Sequence, residues 1–190
     1  MTQLTVIVPP DEPAVLLASA KDYLRIGHSG EDDLIVDLVE AATKRLEQIA
    51  GLALVRRTLQ WTWLQWPQAM AGRGSKFPIS TISNLTSVIL HSDDSLETDI
   101  TARFQIECGR LRLRPWSMLP GLGRGERVEI QFEAGFGGAD EIPEDLQEAV
   151  LRLVASIYSA RSRQRASAGS NTGIPHEVQA ILNARREVRL

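Results

Sequence analysis

The sequence predicts an α+β fold, in which helices from both ends of the chain form a bundle and a small, mostly antiparallel β-sheet or partial barrel is inserted between them. Residues 31–51 and 143–158 place apolar side chains at the spacing of an amphipathic helix. From Thr58 onward apolar residues recur at every second position, which is typical of β-strands. Neither helix can bury its apolar stripe alone, so we expect the chain to bring them together across roughly 90 intervening residues.

The first helical part is expected over residues 14–51. Three prolines within the first 13 residues keep the preceding chain extended, and the pattern of residues 17–26 predicts a short helix. Ser29 and Asp32 then resemble a capping box at the start of a longer helix, which ends at Gly51. The apolar stripe of this longer helix comprises Leu34, Ile35, Leu38, Ala42, Leu46 and Ile49.

The β insert is expected over residues 57–134. Trp61 and Trp63 alternate with polar residues on its first strand, and Cys108 with Gly109 predicts a hairpin turn. Residues 69–75 are interpreted as a flexible loop. Further strands are predicted at residues 86–91, 103–107, 111–114 and 127–133.

The second helical part is expected over residues 142–165, with Pro143 as its first helical residue. Residues 167–173 have the composition of a flexible linker. The last 17 residues, 174–190, include a short helix that is too short to be stable alone and therefore needs a surface to dock on. We treat residues 1–190 as one domain built from these four parts.

Composition indicates a globular protein rather than a membrane or disulfide-stabilised one. Of the 190 residues, 43% are hydrophobic and 24% are charged, which is enough apolar material for a core. Cys108 is the only cysteine, so no internal disulfide is expected. No stretch approaches the ~18 apolar residues of a membrane span, and no signal peptide is recognisable. We expect a protein that is made in a cytoplasm and has no membrane partner.

The net charge of −3 conceals an acidic beginning and a basic end. Residues 1–50 carry nine acids and four bases, a net charge of −5, whereas residues 161–190 carry six arginines and two glutamates, a net charge of +4. Opposite charges at the two ends suit contact with further copies of the chain or with a charged partner. Two separately solvated surfaces would give the same pattern.

No residue pattern in the chain predicts catalysis, a cofactor or a metal site. The histidines lack neighbouring ligands at metal-binding spacing, and the acid pair after a predicted strand favours a turn. The glycine-rich segment 121–125 precedes a strand, whereas a phosphate-binding loop precedes a helix. The tryptophan strand could stack nucleobases, but its spacing first indicates a core or a subunit interface. The side chains considered and set aside are His28, His91, His176, Asp93, Asp94 and Cys108.

Several blocks of sequence occur in the order and spacing of one protein family. They lie at residues 17–26, 31–42, 51–61, 77–88 and 128–146. Together they resemble the head–tail connector (adaptor) family of long-tailed bacteriophages, prophages and gene transfer agents, and the likeness runs from about Leu17 to Arg161. Family members usually begin their first helix with a capping box, but Leu16 and Ser19 occupy those positions here, so that start is uncapped.

The resemblance implies a structural virion protein and not an enzyme. Such proteins form a homo-oligomeric ring, typically dodecameric, beneath the portal protein, and they contact a stopper or tail-terminator protein on the other side. DNA passes through the ring without sequence-specific contact. The resemblance thus implies a location at the head–tail interface of a phage or phage-like particle that is assembled in the host cytoplasm.

The C-terminal tail is the candidate portal-docking site. Family members use C-terminal segments to grip the portal, and an undocked, disordered tail in the free subunit would suit that role. The outer faces of the two long helices, which we expect to pack antiparallel, are the candidate contacts between ring subunits. The docking residues are expected to be Val178, Ile181, Leu182, Arg185, Arg186 and Arg189.

Two other functions fit parts of the sequence. A nucleic-acid-binding module could place the C-terminal arginines on DNA phosphates, although such modules are usually basic overall. A neighbouring head-completion protein, such as a stopper, would share the location but not the sequence of the two helices.

Overall fold

The computed structural model describes residues 2–92, 96–164 and 174–185. The chain divides into two compact units. Residues Met1–Asp11 and Arg56–Phe136 form the first, which we call the β unit, and Glu12–Val55 and Gly137–Leu190 form the second, the helical unit. The predicted α+β class is confirmed.

The β unit contains a five-stranded sheet and a three-stranded sheet. The strands are β1 Thr2–Val8, β2 Arg57–Trp63, β3 Ser75–Lys76, β4 Ile82–His91, β5 Glu97–Asp99, β6 Phe104–Glu107, β7 Arg110–Leu113 and β8 Arg127–Ala134. The strand order is β1-β2-β8-β4-β5 in the larger sheet and β3-β7-β6 in the smaller one. All of these strand pairs are antiparallel, and neither sheet closes into a barrel within the described residues.

The core of the β unit follows from the two-residue alternation of β2 and β8. Trp61 is paired with Ile130 and Trp63 with Val128, so the buried side chains of the two strands lie on one face. Phe77 contacts the same face, with its ring centroid 5.7 Å from that of Trp61 and 4.8 Å from that of Phe132. The tryptophan strand is therefore part of the core and is not available to stack nucleobases.

The structure differs from the sequence expectation at three places in the β unit. The extended N-terminal segment is strand β1, which pairs with β2 at the sheet edge. The expected flexible loop at residues 69–75 is an ordered turn whose Met70 is buried, because a 3₁₀ turn over Gln68–Ala71 directs this side chain inward. The short strands β3 and β5 were not predicted.

The predicted hairpin turn at Cys108 and Gly109 joins β6 to β7, and both residues have positive φ.

The helical unit contains α1 Leu17–Leu24, α2 Asp32–Ala50, α3 Glu144–Gln164 and α4 His176–Arg185. The α2 helix ends as predicted, with Gly51 in the left-handed conformation. The buried side of α2 is slightly rotated from the predicted stripe, because Val39 and Thr43 are buried while Leu34 and Ile49 are only half-buried. None of the helices that the structure describes combines the length and apolarity needed to cross a bilayer.

The predicted pairing of the two long helices is observed. The Tyr158 hydroxyl near the end of α3 donates a hydrogen bond of 2.7 Å to Glu31 before the start of α2. At the other ends of the helices, Val55 after α2 forms a β-bridge with Gly137 before α3. The helices are therefore antiparallel.

The predicted capping box at Ser29 is wrong. The α2 helix begins at Asp32, its N-cap residue is Glu31, and no side chain caps it by a hydrogen bond. Glu31 instead accepts the Tyr158 hydrogen bond, and the acidic first turn with Asp32 and Asp33 suits the helix dipole.

Candidate assembly surfaces

The C-terminal helix α4 is docked on α3 of its own chain. Val178 is fully buried and Leu182 is 4% exposed, whereas Ile181 is only half-buried. These positions follow from helical spacing, since residues four apart lie on one side. Burial of Val178 and Leu182 stabilises the docked helix by about 1.5–3 kcal/mol for each side chain.

Two ion-pair clusters fix α4 along α3. Arg185 donates two hydrogen bonds of 2.6 Å to the two carboxylate oxygens of Asp145. Arg152 on α3 donates one hydrogen bond of 2.6 Å to Glu177 on α4 and two more to Glu148. The Arg185 guanidinium holds the pKa of Asp145 below its ordinary value, and the paired carboxylates raise the pKa of Arg152.

The expectation of an undocked, disordered tail is therefore wrong for residues 174–185. The apolar side of α4 finds its partner within the chain, because α3 offers both an apolar surface and matching charges. Of the predicted docking residues, Val178, Ile181, Leu182 and Arg185 lie on this helix, while Arg186 and Arg189 lie outside the described residues. The linker at 167–173 also lies outside them.

The outer face of α2 is acidic with an apolar centre. Val36 is 48% exposed, and Asp33, Asp37 and Glu40 are exposed one helical turn or less from it. Glu40 is paired with Lys44, whereas Asp33 and Asp37 have no ion pair within the described part of the chain. We call Asp33, Val36, Asp37 and Glu40 the acidic face.

Residues 114–120 form an exposed loop in the β unit that sequence reasoning did not single out. Trp116 is fully exposed and Met118 is 81% exposed, although both are among the residue types that proteins most often bury at interfaces. Trp116 also has a φ of 66°, a left-handed conformation that is strained for a bulky side chain. We call this segment the Trp116 loop.

Hydrogen bonds from three side chains hold the Trp116 loop and the chain next to it. The Trp66 indole donates to the Pro120 carbonyl at 2.8 Å, and Arg103 donates to the Met118 carbonyl at 3.2 Å. Arg114, at the start of the loop, donates to the Phe104 carbonyl at 2.9 Å. The exposed tryptophan is thus presented on a fixed backbone.

Strand β1 is a second unprotected surface of the β unit. It lies at an edge of the five-stranded sheet, all seven of its residues are exposed, and it carries no charge. Leu4, Val6, Ile7 and Val8 are between 39% and 50% exposed. Edge strands of this kind are usually covered by another chain or protected by charges.

The described residues that were considered for chemistry include His91 and Cys108 of the β unit, whose surroundings the structure defines. His91 lies between two carboxylates, with Nε2 3.2 Å from Glu129 and Nδ1 3.5 Å from Glu97. Cys108 is exposed at a hairpin turn. Within the described residues, no cluster of three His, Cys, Asp or Glu side chains could hold a metal ion. Asp93 and Asp94 lie outside the described residues.

The glycine-rich segment 121–125 leads directly into a strand, as predicted. Glu126 accepts hydrogen bonds from the Gly123 amide and from the Ser92 hydroxyl. The Gly123 amide, which a bound phosphate would need as a donor, is therefore already used by the Glu126 carboxylate. This loop is not a phosphate-binding site.

Comparison with solved structures gives whole-chain matches. A chain in the neck of an empty gene transfer agent (GTA) particle, computed with C6 symmetry, is 28% identical with a TM-score of 0.80. A chain in the virion of a native GTA particle is 27% identical with a TM-score of 0.82, and one in the neck of a native particle, computed with C12 symmetry, is 26% identical with a TM-score of 0.76. Each match covers 99% of this chain and 97% of the other. No family model and no curated protein matches the sequence.

These matches extend over both units and therefore include the two long helices, the β unit and α4. The identities are low, but the match leaves almost no part of either chain uncovered. The resemblance to the head–tail connector family inferred from the sequence blocks is thereby confirmed: over almost its whole length, the chain is similar to structural components of the necks and virions of gene transfer agent particles.

Proposed function

We propose that the chain is the adaptor of a phage-like particle, which forms a ring beneath the portal, extends the DNA channel and joins the DNA-filled head to the tail or to the next head-completion protein. The observation that carries the proposal is the whole-chain match to chains of GTA necks and virions. A twelvefold ring is the proposed assembly, because one of the matched necks was computed with C12 symmetry.

The tail remains the proposed portal contact, with its residues divided between two roles. Val178, Leu182 and Arg185 fix α4 on α3, since they are buried or paired there. We assign the portal contact to the half-buried Ile181 and to Arg186 and Arg189, which follow Arg185 in the sequence. These arginines would pair with portal carboxylates and give orientation more than affinity.

The role is structural and not enzymatic. The matched chains are components of particle necks and virions. Of the described side chains considered for catalysis, His91 lies between two carboxylates and Cys108 is exposed at a hairpin turn. DNA binding by the C-terminal arginines is disfavoured at Arg185, which is already paired with Asp145.

The proposal is tested by deleting the chain from a producing cell and imaging the particles. Heads should form and fill, but they should lack a neck ring and a tail. Complementation with the wild-type chain should restore one ring per particle, visible as density between portal and tail. Tailed particles in the deletion strain, or restored particles with this chain located elsewhere, would overturn it.

A further inference from the structure

The Trp116 loop is the surface of this molecule that most needs a partner. An exposed Trp beside an exposed Met is the composition of an interface anchor, and the largest energetic contributions at interfaces come from Trp, Tyr and Arg. Its backbone is held in place by Trp66, Arg103 and Arg114, so little conformational entropy remains to be lost on docking. The strained φ of Trp116 is the kind of feature that persists at functional sites.

The charge around the loop defines the partner. Arg103 and Arg114 are exposed, and the side chain of each donates a hydrogen bond to a backbone carbonyl. Within the described residues, neither is paired with a carboxylate. The loop therefore presents an apolar centre of Trp116 and Met118 flanked by two uncompensated positive charges, and a complementary surface must be apolar at its centre and acidic around it.

The acidic face of α2 has this composition. Val36 supplies the exposed apolar centre, and Asp33 and Asp37 are the flanking carboxylates without an ion pair in the described part of the chain. The helix itself is secured from the other side, where Ile35, Leu38 and Val39 are buried. The acidic face is therefore rigid and complementary in charge.

We infer that the Trp116 loop of one subunit packs on the acidic face of a second copy of this chain, its neighbour around the ring. A cyclic ring is built from heterologous contacts, in which one patch of each subunit meets a different patch of the next, and these two surfaces form such a pair. The inference rests on the proposed ring and names the side chains of its lateral contact.

The inference is tested by cross-linking in assembled particles. In a Cys108→Ser background, Val36→Cys and Met118→Cys are combined in one chain that replaces the native one, and purified particles are treated with a short bis-maleimide. A ladder of covalent dimers and higher multimers is expected. The matched control combines Val36→Cys with Leu96→Cys, a position of the β unit that is also exposed, at 64%, and it should remain monomeric.

A second variant measures the energetic role of the anchor. Trp116→Ala, introduced into the 36/118 cysteine chain, should lower the multimer yield at limiting subunit concentration by at least about tenfold, as expected for an interface hot spot. Its thermal unfolding should match that of the parent chain, which separates loss of contact from loss of fold.

Each outcome has one meaning. Particles whose necks contain the chain but give no ladder from the 36/118 pair, or equal ladders from both pairs, overturn the inference and leave the proposed ring standing. Normal assembly of the Trp116→Ala chain with weakened DNA retention would assign the loop to DNA and also overturn it. Absence of the wild-type chain from the neck would instead overturn the proposed function.

Discussion

The tail helix α4 and the Trp116 loop show how differently two prominent surface elements can be used. Both present large apolar side chains next to arginines. The tail buries Val178 and Leu182 on its own subunit and pairs Arg185 with Asp145. The loop leaves Trp116 and Met118 exposed, and among the residues that the structure describes its arginines have no carboxylate partner. An apolar pattern in the sequence indicates that a segment needs a partner. Only the structure shows whether the chain itself supplies it.

The largest expected effect comes from removing the tail. A chain that ends after Gly173 should remain folded, because α2 and α3 pack without α4, but it should no longer join DNA-filled heads. Circular dichroism would check the fold, and electron microscopy of particles would count tailed heads. Attachment to the portal as tight as that of the full chain would assign docking to another segment.

A single substitution should weaken the packing of α4 on α3 without removing the helix. Leu182→Ala is expected to destabilise docking on α3 by about 2–5 kcal/mol, the usual cost of truncating a buried leucine. Hydrogen exchange of the amides in residues 176–185 should accelerate accordingly. Gln179→Ala, on the exposed side of the same helix, is the control and should leave exchange unchanged.

The docked tail should also respond to acid. The pKa of Asp145 is lowered in the folded chain by Arg185, so the pair contributes stability above the unfolded pKa of about 3.9 and loses it as the pH falls through the lower folded value. Exchange of the α4 amides, corrected for the intrinsic pH dependence, should therefore increase below about pH 4. Asp145→Asn should remove this part of the pH dependence, and a pH profile identical to that of the wild type would show that the pair does not hold the helix.

Unlike Leu182 in the tail helix, Trp116 should contribute little to the stability of the isolated subunit. Trp116→Ala should change the free energy of unfolding by less than about 0.5 kcal/mol, since the side chain contacts solvent in the isolated subunit. Chemical denaturation of the purified chain checks this. A large loss of stability would show that the tryptophan serves the subunit and not an assembly.

The smallest effect is expected from the side chains that were considered for chemistry. Alanine at His28, His91, His176, Asp93, Asp94 or Cys108 should leave particle assembly and DNA delivery largely intact. The readout is the number of recipient cells that acquire DNA per particle. One such variant that is folded but inactive would reveal a catalytic or binding site.

The parts of the fold that the sequence predicted are those with a clear period. The buried faces of α3 and β8 follow spacings of 3.6 and two residues, because one side of each element faces a core. Strand β1 has no such alternation, since it lies at an edge with both faces exposed, and β3 and β5 are too short to show one. Their existence depends on partners that are distant in sequence.

The candidate site was predictable only in part. Residues of the tail were found because they repeat at helical spacing, but their partners on α3 are 25 to 40 residues away and could not be identified from a local pattern. The Trp116 loop has no period at all. Its significance lies in exposure and in hydrogen bonds from Trp66 and Arg103, which no local pattern encodes.

The connection between the two units has a consequence for synthesis of the protein. The polypeptide passes from one unit to the other three times, after Asp11, Val55 and Phe136. The central strand β8, which pairs with both β2 and β4, ends at Ala134, and α3 follows it. Neither unit can therefore be completed on the ribosome until about three-quarters of the chain has emerged. Strand β1 can pair with the tryptophan strand early, but the other edge of the tryptophan strand must wait for β8. The central part of the five-stranded sheet is therefore finished only when most of the chain has left the ribosome.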